Sequence, residues 1–554
     1  MTAPNPPDLI GVLLGAILAT MVLTPMLSLL VLWRYRRAVR RSMHLTADGG
    51  GQPAMQPVSN ERHGHRYPGP AGPSVPVVAV PAGSQPPVPA GDGTGWALAR
   101  QRMRLLCYVY VAAGLAYGLV AAIVWLKAGG IEFLPRRFAV VAVLNTWPVV
   151  PTVLTILAAG RRSTVLAWVG YFLLVLLLST GTGVGFDQIL LLIALIAVVP
   201  AVLLLALSGR NLRAVSPFLA VPVLIAAAGL FVWPWLALPL VEAGASVNLA
   251  RAVVILAVFL VALTGLAYLW WGARQYARKR ASDQMLVVSQ WWFLAAVCES
   301  FFLLVEGLQW TLAFWLAYLA YRLVLAAGLR LRRRPAEGAP LRLLLLRVFG
   351  AKRRSERLLR RLGASWRHLG SVQMIAGPDL TAAALEPHEF LDSLRGRLSR
   401  QFVADAGDLR RRLAQLDLNP DPDGRYRVSE LFCHDDTWRP ALRELVHRSD
   451  CVLLDLRGFT VARQGATYEI TQLVELVPLR RVLLLIDDTT DHSFLGTVLD
   501  AAWRGIGPES PNWDDGGALR VLQVAPRAGI DAEAVVALLT ATASRTDFAS
   551  RDQQ

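Results

Sequence analysis

Three ionisable residues close together in the last quarter of the chain have the types and spacing for chemistry. Asp455 and Arg457 close an apolar run, and Glu469 stands where the following helix begins. A carboxylate there can meet a ligand, and the arginine can hold an anionic group. Each has a plainer reading as well. Asp455 and Arg457 can pair with each other, and a glutamate in a helix's first turn is favoured by the macrodipole alone. A second group, Asp487, Asp488, Asp491 and His492, has metal-ligating types, but Thr490 or Asp491 capping a helix accounts for most of it. His434, Asp435 and Asp436 read as a turn and cap, and His63 and His65 as part of a solvated loop. No metal site is expected. The four cysteines, Cys107, Cys298, Cys433 and Cys451, are scattered and form no CxxC.

The elements that must position Glu469 are legible in residues 449–487, SDCVLLDLRGFTVARQGATYEITQLVELVPLRRVLLLID. Residues 451–456 form an apolar run suited to a strand buried on both faces, ended by Arg457 and Gly458. Ile470, Leu473, Val474, Leu476 and Val477 make a helical stripe, and residues 482–486 form a second buried strand. Strand, helix and strand with short connections belong to a parallel sheet covered on both sides. Ligands in such sheets sit beyond the carboxyl ends of the strands, the edge where Asp455, Arg457 and Glu469 fall.

The same residues carry a resemblance. Ser449-Asp450, an apolar strand, a short loop and then Gly465-x-x-x-Glu469 opening a helix resemble the TIR-domain family. They are equally similar to the nucleoside deoxyribosyltransferases. The resemblance spans residues 341–539 and is strongest over the segment just quoted. It implies a doubly wound, flavodoxin-like (TIR-like) parallel sheet. In enzymatic members a glutamate at the place of Glu469 works on an N-glycosidic bond, in NAD or a nucleoside. Cleaving that bond builds oxocarbenium character, which a carboxylate can stabilise or attack. The implied activity is that of an NAD glycohydrolase or a deoxyribosyltransferase, with NAD as substrate and no cofactor. Arg347, Phe349, Asp455, Arg457, Gly458, Gly465 and Tyr468 are the matching nucleotide-binding positions, and Glu469 the catalytic one. The chain departs from the deoxyribosyltransferase pattern at Arg463, where an aspartate is usual. GAKRRSE, after the first strand, is neither a P-loop nor GxGxxG, so a nucleotide would not be held in the Rossmann manner.

Composition places this domain behind a membrane region. Of 554 residues 54% are hydrophobic, and the mean hydropathy is +0.44, above that of ordinary soluble domains. The net charge of +16 fits Lys and Arg gathered at the cytoplasmic ends of spans, and no nucleic-acid-binding motif accompanies it. The partner is a bilayer rather than nucleic acid. Residues 9–33 form an apolar run followed by Arg34, Arg36, Arg37, Arg40 and Arg41, which reads as an uncleaved anchor within residues 1–43. Residues 44–100 are a linker whose Pro- and Gly-rich part, 46–92, lacks the apolar content to order itself.

Eight further spans are expected within 101–335, at 104–126, 138–159, 164–180, 187–207, 215–240, 249–272, 285–305 and 309–329. Arg161, Arg162, Arg210, Arg213, Arg274, Arg278, Lys279 and Arg280 fall in alternate connections. This places the amino terminus outside and the carboxyl terminus in the cytoplasm of a plasma-membrane protein. Lys127, Arg136 and Arg137 lie in an outer loop and break the pattern. Glu299 and Glu306, seven residues apart, are intramembrane candidates, with Arg322 a strained partner for Glu299 and Glu306 at a hairpin turn. Pro217, Pro222, Pro234 and Pro239 kink one span.

Residues 336–554 then form the α/β domain. Strands are expected at 343–348, 372–376, 451–456, 482–486 and 519–524, with an edge strand at 425–432. An insertion near 379–424 carries helices at 389–402 and 408–416. Three functions compete. The first is a membrane-anchored effector cleaving NAD or a related nucleotide. The second is a non-catalytic nucleotide-binding or self-associating module, forming a homo-oligomer through the cytosolic domain. The third is a transporter regulated by that domain.

Overall fold

The computed structural model describes residues 9–43, 74–80, 94–180 except 158 and 160, 243–348 except 304–305 and 333–339, 352–376, 398–524 except 515–516, and 531–543, with scattered residues in 181–242. The chain separates into two compact units. Met1–Arg34 and Met103–Arg334 fall in the first; Tyr35–Arg102, Pro335–Leu385 and Asp392–Gln554 fall in the second.

The first unit is helical. Its helices are α1 (Leu9–Met43, running on into the second unit), α2 (Thr94–Ala128, beginning there), α3 (Pro135–Asn145), α4 (Val149–Ile156), α5 (Arg161–Ser179), α6 (Val247–Ala277), α7 (Asp283–Phe302) and α8 (Leu308–Arg332). Among the described residues three helical stretches are long and apolar enough to cross a membrane: Ala97–Ala128, Arg162–Ser179 and Leu308–Arg332. A fourth arises if α3 and α4, which meet at 46°, count as one bent span. The single span expected at 138–159 is thus broken at Thr146–Pro148, where Pro148 supplies no N–H to continue α3. Helices also stand at the expected 249–272 and over most of the expected 285–305, where α7 ends at Phe302. The expected spans at 187–207 and 215–240, with their prolines, lie almost wholly outside the described residues.

The second unit is built on a seven-stranded, all-parallel sheet. Its strands are β1 (Val77–Val80), β2 (Leu341–Arg347), β3 (Gly370–Ile375), β4 (Val428–Leu431), β5 (Cys451–Asp455), β6 (Val482–Ile486) and β7 (Leu519–Gln523), in the order β1-β7-β6-β5-β2-β3-β4. The two edge strands aside, the remaining five run 2-1-3-4-5 in chain order. The helices are α9 (Lys352–Trp366), α10 (Ala406–Ala414), α11 (Trp438–Arg448), α12 (Gln464–Leu476), α13 (His492–Arg504) and α14 (Ala532–Ala543).

The central strands β5 and β6 are almost wholly apolar and fully buried, because both faces are covered. Alternate residues point to opposite sides. Leu344, Leu346, Val452, Leu454 and Leu484 join the core formed with α11, α12 and α13. Leu343, Leu345, Cys451, Leu453, Leu483 and Leu485 join the other, formed with α9 and α14. Fully burying each such leucine stabilises the domain by roughly 1.5–3 kcal/mol.

Two expectations need correction here. The linker is not uniformly unstructured: Val77–Val80 is a strand in register with β7, Val77 opposite Leu519. Pairing with the β7 edge, rather than its own composition, orders it. In the insertion, the second helix is present as α10, capped by Asp405, whose carboxylate accepts from the Asp408 amide at 2.8 Å. Most of the first falls outside the described residues, and its last residues, Leu398–Gln401, form a 3-10 turn.

Candidate functional site

The crossover between β2 and β5 places the candidate residues. From β2 the chain leaves to α9 on one face, and from β5 to α12 on the other. Their carboxyl ends are therefore where a cleft opens in sheets of this kind. Arg347 ends β2 and Asp455 ends β5, and the two are directly paired in the ladder. The Val348 amide donates to the Asp455 carbonyl at 3.0 Å, fixing the register at this edge.

Asp455 and Arg457 hold each other. The guanidinium donates through Nε to Oδ1 at 2.7 Å and through Nη2 to Oδ2 at 2.6 Å, and the Arg457 amide reaches Oδ1 at 3.3 Å. Both side chains are buried. A buried bidentate pair of this kind is geometrically strong but offsets a large desolvation penalty. Gly458 follows with φ +81°, a left-handed turn that directs the chain away from the sheet. The turn is tied down by Thr490, whose hydroxyl donates to the Leu456 carbonyl at 3.0 Å, and by the Asp491 amide, which donates to Phe459 at 2.9 Å.

Glu469 is in the second turn of α12, not the first, since the helix begins at Gln464 and its first turn holds no acidic residue. The macrodipole falls off within the first turn, so it does not account for a glutamate here. The side chain is only 3% exposed, and Oε2 has no hydrogen-bond partner among the described residues. Burial pushes its carboxyl up to about 8, against the charge of Arg347, which pulls it down. Glu469 therefore sits beneath the strand edge rather than open to solvent.

The other expected positions divide. Arg347, Asp455, Arg457 and Gly458 gather at the ends of β2 and β5 with Glu469 behind them. Tyr468, the neighbour of Glu469, packs elsewhere: its ring meets Trp438 edge-on at 5.3 Å, and Arg439 lies 5.0 Å over it. Successive helical residues diverge by about 100°, which separates these two. Gly465 has open space where a Cβ would stand. Phe349 lies outside the described residues. Trp438 and Arg439, which build the stack on Tyr468, were not legible because the contact joins separate helices.

Among the described residues no group of three His, Cys, Asp or Glu could hold a metal ion. Asp491 caps α13, accepting from the Phe494 amide at 2.9 Å, and Asp487 Oδ1 accepts from the Thr489 amide at 3.0 Å. His434 contacts the Ser42 carbonyl through Nδ1 at 2.7 Å, at the end of α1. The chain matches no family model, and comparison with curated proteins and with solved structures gives no match.

Proposed function

We propose that the chain is a membrane protein whose α/β unit is a doubly wound, TIR-like domain binding a nucleotide at the β2–β5 edge. Glu469 is the group that acts on the nucleotide's N-glycosidic bond, as in NAD. One observation carries this reading: a buried glutamate with an unpartnered oxygen lies beside Arg347 at the crossover of the sheet. A second-turn residue of this kind has no helix-starting role, and an unpaired buried carboxyl is costly for the fold alone. The strand order 2-1-3-4-5 of the five inner strands, with helices on both faces, supports the same architecture. In this reading Arg347 attracts the phosphates, with the Gly458 turn at the same edge.

In this reading the ionised carboxylate stabilises the developing positive charge on the ribose or attacks its anomeric carbon. A cationic substrate favours the ionised form, so the reaction should speed up as pH rises through about 8. The test is nicotinamide release from NAD by the full-length protein in lipid nanodiscs, followed against pH. Glu469→Gln should lower turnover by about three orders of magnitude with the α/β unit still folded. Equal turnover by the Gln variant, or a rate that falls through the same pH range, would refute the catalytic role. The near-complete burial of Glu469 favours one alternative, a module that binds the nucleotide without cleaving it. Calorimetric binding of NAD with no nicotinamide released would establish that alternative.

A further inference from the structure

We propose that Glu299 and Tyr117 form a proton-binding site inside the helical unit, at the break between α3 and α4. The site is independent of the nucleotide reading above. Glu299, on α7, is 1% exposed. One carboxyl oxygen, Oε2, accepts a hydrogen bond from the Tyr117 hydroxyl of α2 at 3.4 Å. The other, Oε1, has no partner among the described residues.

The surroundings are aromatic rather than charged. The Tyr117 ring stands edge-on to Trp292 at 5.2 Å and to Phe314 at 6.0 Å, and Trp292 stacks on Tyr321 at 4.6 Å. The Trp147 indole, from the break itself, and the Tyr171 phenol of α5 face the same carboxyl. Tyr171 also holds the frayed end of α3, donating to the Val143 and Leu144 carbonyls at 3.1 and 2.9 Å. At Gly118 of α2 a Cβ would lie 2.4 Å from Thr146 Cγ2 and 2.5 Å from the Ala142 carbonyl oxygen. Only glycine lets α2 approach the break so closely.

Few titratable groups face Glu299 among the described residues. Those that act on it are Tyr117 on α2, Tyr171 on α5 and Cys298 on α7. The α3–α4 break contributes Trp147, which is neutral. Arg322, the cation expected to pair with Glu299, is exposed and hydrogen-bonds Tyr318 instead. An ionised carboxylate without a cation costs several kcal/mol in an apolar interior, whereas the neutral acid needs only hydrogen-bonding partners. The resting carboxyl therefore carries its proton. When the acid ionises, Tyr117 stabilises the carboxylate by donating its hydroxyl hydrogen.

The experiment treats the full-length protein in lipid nanodiscs with dicyclohexylcarbodiimide, which partitions into bilayers. The acid O–H adds across one C=N bond, and the O-acylisourea rearranges to an N-acylurea with no leaving group. The adduct is then located by peptide mass spectrometry. Modification of Glu299 should be strong at neutral pH and weaken once added base ionises the acid. Tyr117→Phe removes the donor that favours the carboxylate, so its labelling should persist to higher pH. The infrared carbonyl band of an unionised acid, recorded on the same samples, should be present in the wild type and lost in Glu299→Gln. Absence of both adduct and band, or labelling equal across the pH range, overturns the proposal. So does an unchanged pH profile in Tyr117→Phe.

Discussion

Each unit buries one glutamate with an oxygen that finds no hydrogen-bond partner among the described residues: Glu299 in the helical unit, Glu469 in the α/β unit. Their surroundings differ in kind. Glu469 lies near the carboxyl ends of parallel strands, where Arg347, Asp455 and Arg457 collect. Glu299 lies among rings, and Tyr117 is its hydrogen-bond donor. A sheet edge lets a buried carboxyl share the field of a cation, while a helix bundle of apolar sequence supplies dipoles only. In the two proposals the same side chain would serve different tasks: charge stabilisation of a bound ligand in one unit, proton binding in the other.

The largest expected effect that sharpens this comparison is in stability against pH. The folded Glu469 carboxyl lies at about 8 against an ordinary 4.5, so between those values the folded state holds a proton that the unfolded chain has lost. Its contribution to stability is therefore intact below about 4.5 and is lost as pH rises toward about 8. Glu469→Gln removes the dependence. The variant should match the wild type in acid and exceed it above neutrality, by up to about 4–5 kcal/mol at the alkaline end. Hydrogen exchange of the β5 and β6 amides in the full-length protein measures this. A variant less stable than the wild type at alkaline pH would mean that the ionised carboxylate has a partner in the fold.

Asp455→Ala tests the cation side of the same edge. It leaves Arg457 buried and unpaired, and should destabilise the α/β unit by about 3–5 kcal/mol. Asp455→Asn keeps the shape and one acceptor and should cost less. Protection of the β5 amides is again the measurement, and protection unchanged in Asp455→Ala would show that Arg457 readily finds solvent.

The two units also differ in how a buried asparagine is used. Asn145 donates to Val141 within its own helix at 2.7 Å. Asn512 joins three segments: its amide donates to the Val474 and Val477 carbonyls, each at 2.7 Å, and its oxygen accepts from the Leu479 amide at 2.9 Å. It thus closes the end of α12, the helix that carries Glu469. Asn512→Ala should cost about 2–3 kcal/mol, because it strands three backbone groups. Asn145→Ala should cost under about 1 kcal/mol, since its helical carbonyl keeps its ladder bond. Equal losses in thermal unfolding would remove this distinction.

How much of this was legible follows from what each feature depends on. The inner strands of the sheet were readable because Leu344, Val452 and Leu484 sit in unbroken apolar runs of strand length. Helices 104–126 and 309–329 were readable for the same reason. Some of what failed depended on partners far along the chain, and some on local turns. Val77–Val80 is four residues among prolines and becomes a strand only against β7. The turn occupied by Glu469 was misjudged because α12 starts at Gln464 without a capping side chain, Arg463 giving no signal. The break at Pro148 was visible as a residue but not as a bend, since proline kinks some membrane helices and is absorbed by others. The fork between Asp455 and Arg457 was one of two outcomes the spacing allowed, and the backbone turn at Gly458 decides for it.

The smallest effects separate two glycines of the candidate site. Gly458 has φ +81°, where a side chain is strained even with space around it, and its nearest neighbour, Thr489 Oγ1, is 3.9 Å from an added Cβ. Gly458→Ala should therefore destabilise by about 1–2 kcal/mol through backbone strain alone. Gly465 is helical and has nothing within 4 Å of a Cβ. Gly465→Ala should leave the fold unharmed or stabilise it by a few tenths of a kcal/mol, because alanine loses less backbone entropy in a helix. The proposed nucleotide reading would make a different demand on Gly465, namely close approach of a nucleotide to the helix start. Should Gly465→Ala preserve β5 exchange protection but weaken NAD binding by about tenfold, the glycine serves a ligand, which fold stability alone would not require. Unchanged binding with gained stability would remove Gly465 from the proposed site and leave that proposal to Arg347 and the Gly458 turn.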